Sequence, residues 1–258
     1  MIVSDRPNQV ILKTEAEIEQ LRLAGRLVGE TLAELVDQVR PGLRLGDLDA
    51  YVLAKFERLG VIPTFLGYMG YPYTICASVN EQIVHGFPTD RMLEEGDLLS
   101  LDLGATIHGW VGDAAVTVGV GRLSPPAQRL LDVTREALDA GIDVARVGVR
   151  KGDIGAAIQA VLEGAGYGVV RNYTGHGVGR AMHEPPTMPN YGKPGTGLVM
   201  RKGMVVALEP MATAGSPDTR ELADGWTVAT RDGSLAAHFE HTMALREDRP
   251  ADVLTRLD

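Results

Sequence analysis

Apolar positions recur at helical spacing as far as Val39, behind a Thr14-Glu15-Ala16-Glu17 start in which Thr14 and Glu17 have capping-box spacing. Pro41-Gly42 stops that pattern, which predicts one long helix near the start of the chain. A second helix start is legible at Ser124-Pro125, with Ser124 as N-cap and Pro125 at the first helical position, and it runs to about Ala145. Between the two helices the pattern changes. Leu98 to Ala105 and Trp110 to Val120 are rich in strand formers and flank His108-Gly109, which predicts a β-hairpin.

The hairpin carries two aspartates in an otherwise apolar or small run, SLDLGATIHGWVGDAAV. A turn centred between Ile107 and His108 sets Asp102 and Asp113 directly opposite one another, where like charges repel. Two readings stand at this point. Asp102 shares its strand face with Ser100, Gly104 and Thr106, as a solvated surface would; Asp113 shares its face with Val111 and Ala115, which suits a buried carboxylate beside a bound cation.

An internal repeat enlarges the picture. Residues 40–60 (RPGLRLGDLDAYVLAKFERLG) and 146–166 (RVGVRKGDIGAAIQAVLEGAG) align without a gap, matching at nine of 21 positions, too many for chance. Each copy reads as a turn capped by Asp47 or Asp153, then an amphipathic helix ending at glycine. The correspondence continues where LEEGDLLSLD (93–102) parallels MRKGMVVALE (200–209), which sets Asp102 against Glu209. Equivalent strands of a pseudo-two-fold domain can face one another across the axis. Asp113 lies in the return strand of the first half, and Glu240, in HFEHTMAL, in a candidate return strand of the second. Four carboxylates could therefore converge, with no Lys or Arg in these strand cores to balance them, and metal ions are the economical counter-charge.

Composition narrows the class without deciding it. With 258 residues, 45% hydrophobic and 23% charged, the chain can bury an ample core and shows neither disorder nor a membrane span. A net charge of −9 and a pI near 5.2 argue against broad attraction to nucleic acid or anionic lipid. The single cysteine, Cys76, excludes an internal disulfide, and the first residues lack the apolar run of a secretory signal, so a cytoplasmic location is expected. GxSxG, Walker and dinucleotide patterns are missing.

Of the six histidines, His176 lies in TGHGVGRAMHEPP, where flanking glycines admit close backbone approach. Alone it reads as structural; beside four acids it completes a donor set of Asp102, Asp113, His176, Glu209 and Glu240. That oxygen-rich set with one imidazole suits Mn, Fe, Co or Zn. Five protein ligands exceed what one catalytic ion with an open position takes, which favours two divalent ions bridged by carboxylates. His85 and His183 sit in Gly/Pro-flanked loops, His108 reads as a turn residue, His241 as structural, and His238 is ambiguous.

The ordered set SLDLG, GWVGDAA, TGHGVGRAMHEPP, VVALEPM and FEHT resembles the type I methionine aminopeptidases of the pita-bread fold, within the M24 metallopeptidase superfamily. The resemblance runs from about Thr14 to Arg246. It implies an α+β fold: a pseudo-two-fold antiparallel sheet with helices on its outer face, in one domain over 14–258 after an extension over 1–13, with halves at about 14–122 and 123–250. It implies Asp102, Asp113, His176, Glu209 and Glu240 as metal ligands, Asp113 and Glu240 bridging, and His85 and His183 as catalytic histidines. Glu209 is the expected proton acceptor, His183 the oxyanion stabiliser, and His85 the contact to the scissile amide or leaving nitrogen. By family position the methionine pocket uses Tyr68, Tyr71, Cys76, Met182 and Trp226, with Phe65 near its rim; read alone, these are core residues. Met69 stands where many members have histidine and Phe65 where some have cysteine, which bears on fine substrate preference.

The implied reaction is release of N-terminal methionine from new polypeptides whose second residue is small, near the ribosome, by a monomer without nucleic-acid or membrane partners. A monovalent cation near Asn80 belongs to the same expectation. Proline-specific relatives generally carry an extra N-terminal domain, whereas here a short segment precedes the first helix. Type II enzymes carry a helical insertion between the last two acidic ligands, but Glu209 and Glu240 are 31 positions apart. Non-catalytic relatives lose ligands that this chain keeps.

Overall fold

The computed structural model describes residues 10–247 and 249–256; residues 1–9 of the expected N-terminal extension lie outside the described residues. The first helix, α1 (Glu15–Gln38), starts as its sequence predicts. The Thr14 hydroxyl accepts from the Glu17 N–H at 3.3 Å, and the Glu17 carboxylate accepts from the Thr14 N–H at 2.8 Å. Ile18, Leu21, Gly25, Val28, Leu32 and Leu35 form its buried stripe.

In chain order there follow α2 (Leu45–Leu59), then β1 (Ile62–Pro63), β2 (Ile75–Val79), β3 (Gln82–Val84), β4 (Leu98–Ile107) and β5 (Trp110–Gly119). Next come α3 (Pro125–Val144) and α4 (Lys151–Gly164), with α3 capped by Ser124 as expected. The remaining strands are β6 (Gly168–Val169), β7 (Gly175–Gly177), β8 (Glu184–Met188), β9 (Val205–Leu208), β10 (Met211–Thr213), β11 (Thr219–Glu221), β12 (Val228–Thr230), β13 (Ala236–His238), β14 (Glu240–Ala244) and β15 (Asp252–Val253).

The antiparallel central sheet runs β1-β4-β5-β14-β9-β7-β8, with β2 also on β4 and β15 on β14; two three-stranded sheets, β13-β10-β6 and β11-β12-β3, flank it. One apolar cluster joins α1 and α2 to β2, β4 and β5, and another joins α3 and α4 to β9, β13 and β14. The approach of α1 is close enough that a Cβ on Gly112 of β5 would lie 2.6 Å from backbone atoms of Ala24 and Gly25. The α+β class expected from the sequence holds.

The repeat is written into the hydrogen bonds. The Gly42 N–H donates to Leu93 O and the Leu93 N–H to Leu43 O; at the equivalent positions Gly148 donates to Met200 O and Met200 to Val149 O. Arg44 bridges to Met92, and Arg150 to Val199.

Two local expectations change. Asp47 and Asp153 are not N-caps: α2 is capped at Arg44 and α4 at Arg150, so both aspartates fall at the third helical position. There the Asp153 carboxylate accepts from the Arg150 N–H at 2.7 Å, and Asp47 accepts from the Arg44 guanidinium at 2.6 Å. The hairpin register also differs. His108 (φ 51°) and Gly109 (φ 77°) both sit in the left-handed region, so they form the whole two-residue turn and Ile107 pairs with Trp110. Asp102 therefore faces Ala115, and Asp113 faces Gly104. The two carboxylates are diagonal rather than opposite, which keeps them on one face while relaxing their repulsion.

Candidate metal centre

Strand order and alternation together build the site. Asp102 lies on β4, Asp113 on β5, Glu240 on β14, Glu209 directly after β9 and His176 on β7, and these five strands are consecutive neighbours in the sheet. Asp102 pairs with Ala115, which pairs with Glu240; Thr242 pairs with Ala207, which pairs with His176. Because side chains alternate with period two, all five donors point to one face of the sheet. The equivalent strands β4 and β9 do not adjoin. Their return strands β5 and β14 pair at the centre, flanked by β4 and β9.

This face floors a cavity of about 500 Å³ lined by all five residues together with His85 and His183. Candidate ligand atoms of Asp113, His176 and Glu240 lie within 4.8 Å of one another. Asp102 Oδ1, Asp113 Oδ1 and Glu240 Oε1 are buried without a hydrogen-bond partner among the described residues. Burial, reinforced by neighbouring acids, raises Asp102, Asp113 and Glu240 well above the usual carboxylate range, and burial with the charge of Asp102 pushes Glu209 up to about 8.

His176 sharpens the point. Its Nδ1 is 3.0 Å from the Gly177 carbonyl, which can only accept, so Nδ1 carries the hydrogen. The Nε2 lone pair then faces Asp113 Oδ2 at 3.6 Å and Glu209 Oε1 at 3.7 Å. A lone pair aimed at two carboxylate oxygens is unfavourable unless a cation lies between them. Burial also lowers His176 to about 3, leaving the imidazole neutral as a ligand must be. The donor set thus fits divalent metal, and His176 has the outer hydrogen bond expected of a ligating imidazole.

The two further histidines border the same space. His85 has φ 60°, a left-handed conformation uncommon for a non-glycine residue, and its ring meets Tyr173 and Trp226 edge-on. His183 lies at the exposed mouth, its Nδ1 2.8 Å from the Tyr68 hydroxyl and its ring centroid 4.2 Å from that of His176. Phe65, Tyr68, Met69, Tyr71, Cys76, Met182 and Trp226 form the apolar side of the cavity. Tyr71 packs edge-on against Trp226 at 5.0 Å. Phe65 is 6% exposed, buried rather than at an open rim, because Gly104 of β4 has no side chain and the ring lies over it.

Tyr173 and Thr174 also line the cavity, signalled in sequence only by their place before the GHG of β7. His238, ambiguous in sequence, is buried with Nε2 3.8 Å from Glu209 Oε2; no spacing rule pointed to it. Of the others, His241 meets Thr255 Oγ1 at 2.8 Å, a structural contact. The Asn80 side chain is engaged by Asp97 and the Leu98 N–H. No helix among the described residues is long and apolar enough to cross a membrane.

A cluster of four acids and an imidazole, with Asp113, Glu240 and His176 buried and Asp102 and Glu209 partly so, on a pseudo-symmetric antiparallel sheet defines a metal-dependent hydrolase site, and comparison with known proteins gives the family. The model of metallopeptidase family M24 matches residues 19–247, and the chain belongs to that family. The methionine aminopeptidase of Clostridium acetobutylicum is 45% identical over 95% of this chain and 98% of its own. The crystal structure of methionine aminopeptidase from Thermotoga maritima superposes with a TM-score of 0.94 at 45% identity, covering 96% of this chain and 100% of that one. The pita-bread fold is therefore present. A prolidase from Pyrococcus furiosus shares the fold alone, with a TM-score of 0.78 at 22% identity over 96% of this chain and 66% of its own.

Proposed function

We propose that the protein is a type I methionine aminopeptidase that removes N-terminal methionine from polypeptides with a small second residue. The observation that carries the reading is the convergence of five donors beside an apolar, sulfur- and aromatic-lined recess within one cavity. Cys76, Met182, Tyr68, Tyr71, Phe65 and Trp226 offer polarisable surface suited to a thioether side chain.

Asp102, Asp113, His176, Glu209 and Glu240 are the residues that would hold metal, and two ions, drawn from Mn, Co, Fe or Zn, suit five donors. Bound there, the ions supply Lewis acidity that lowers the pKa of water and polarises the scissile carbonyl. Glu209 accepts the water's proton and passes it to the leaving nitrogen. With Tyr68 donating to Nδ1, His183 carries its hydrogen on Nε2, where it donates to the developing oxyanion. His85 contacts the scissile amide or the leaving nitrogen. On this reading residues 14–258 act as one catalytic domain in the cytoplasm, as a monomer, on chains emerging near the ribosome.

Metal-stripped protein reconstituted with Mn, Co, Fe or Zn and assayed on Met-Ala-Ser, Met-Leu-Ser and Leu-Pro peptides tests the proposal. Hydrolysis of Met-Ala-Ser in preference to both others is expected. Cleavage confined to the Xaa-Pro substrate, or none with any metal, would refute it. Asp113→Ala and Glu240→Ala should abolish turnover and weaken metal uptake, whereas His183→Ala should slow turnover and spare uptake. Equal metal loss in all three would contradict those roles.

A further inference from the structure

His238, the last residue of β13, is 1% exposed and its backbone is held from both sides. Thr117 Oγ1 accepts from the His238 N–H at 2.8 Å and donates to His238 O at 2.7 Å. That donation uses the only hydrogen of the hydroxyl, so the 2.8 Å contact between Ser100 and Thr117 is donated by Ser100. The imidazole contrasts with this closed network. Neither of its nitrogens has a hydrogen-bond partner among the described residues. Buried polar groups of this kind call for an explanation.

The geometry supplies one. Nε2 of His238 is 3.8 Å from Glu209 Oε2, while Glu209 Oε1 is 3.7 Å from His176 Nε2. The carboxylate stands between two imidazoles, one oxygen toward each. His176 lines the cavity and His238 does not, so the two imidazoles are not equivalent candidates for ligation. We propose that His238 is a positioning residue for Glu209, its Nε2–H holding Oε2 so that Oε1 is presented to the metal and the attacking water. The inference rests on the reading of Glu209 as ligand and proton acceptor. At 3.8 Å the pair is longer than a formed hydrogen bond, and contacts of this kind in catalytic sites are often long until the site is loaded.

The test uses full-length protein stripped of metal, titrated calorimetrically with Mn²⁺ and then assayed on Met-Ala-Ser. His238→Leu fills the space without an N–H, and His238→Gln returns one. His238→Leu should weaken Mn²⁺ binding about 10-fold and lower kcat roughly 10- to 100-fold, the range for loss of an outer partner of a metal ligand, with KM within about twofold. His238→Gln should recover most of both losses. Wild-type Mn²⁺ affinity and kcat in His238→Leu overturn the proposal. So does a loss that His238→Gln leaves unrepaired with one fewer ion bound per chain, which makes His238 a direct ligand. Should His238→Leu not fold, His238→Ala carries the same comparison. Wild-type protein that binds Mn²⁺ yet cleaves no peptide defeats the aminopeptidase reading, and the titration still decides the role of His238.

Discussion

Replacing Lys13 by Met tests how the loop bearing His183 is anchored. Lys13 Nζ donates to Glu184 Oε2 at 2.5 Å, and the two side chains are 2% and 5% exposed. The other oxygen, Glu184 Oε1, accepts from the backbone N–H groups of Arg180 at 2.8 Å and Ala181 at 3.2 Å. Glu184 thus pins the turn that carries Met182 and His183, and Lys13 supplies its only opposite charge among the described residues. Breaking a buried pair from one side costs about 3–5 kcal/mol. Two backbone donors remain, so the low end, about 3 kcal/mol, applies. For a domain of this size that lowers Tm by roughly 6–12 °C. Adding Glu184→Gln removes the orphaned charge and keeps an acceptor for both N–H groups, so the double variant should recover about 1–2 kcal/mol relative to Lys13→Met. Thermal unfolding followed by circular dichroism at pH 7 and fixed metal concentration reads the wild type, both single variants, Lys13→Met and Glu184→Gln, and the double variant. A Tm change below about 2 °C in Lys13→Met, or strictly additive losses in the double variant, would refute the reasoning.

Tyr68→Phe removes the hydroxyl at His183 Nδ1 and should lower kcat roughly fivefold, about 1 kcal/mol, with little change in KM. A raised KM at unchanged kcat would instead make Tyr68 a contact of methionine alone. The carboxylate cluster gives the metal-free protein a distinctive pH response. Glu209 is raised by burial to about 8, so its folded form binds more protons than the unfolded chain; the stability it confers is full below the unfolded Glu value of about 4.3 and is lost as pH rises through about 8. Urea unfolding should find metal-free protein weaker at pH 8 than at pH 6, and saturating Mn²⁺ should reverse that order; a flat metal-free profile would contradict the cluster's energetics. Gly112→Ala places a methyl 2.6 Å from the backbone of α1 and should cost about 1–3 kcal/mol in chemical denaturation as the helix is displaced. Unchanged stability would show that α1 yields more easily than its packing implies.

The hairpin shows where reading from the sequence reached and where it stopped. Strand identity and the shared face of Asp102 and Asp113 were legible, because alternation survives a register shift of two. The register was not. It depended on His108 and Gly109 both entering the left-handed region, a local preference that histidine only weakly signals. Likewise, the turn before each repeated helix was legible, but not the Arg44 and Arg150 caps: Asp47 and Asp153 sit three positions further on, where Asp153 accepts from the Arg150 N–H and Asp47 from the Arg44 guanidinium, and an aspartate at a helix start reads the same in sequence at either place.

The five candidate donors were legible in the repeat and the ordered motifs, while local chemistry determined the helix starts at Thr14 and Ser124 and the duplicated turn and helix. Those local features rest on interactions between residues a few positions apart. Tertiary structure alone decided that β5 and β14 meet at the centre, that Phe65 lies over Gly104, that Lys13 reaches Glu184, and that His238 stands behind Glu209. Most of these contacts join residues far apart in the chain. What selects such neighbours is the shared burial of whole faces, and no run of consecutive residues records it.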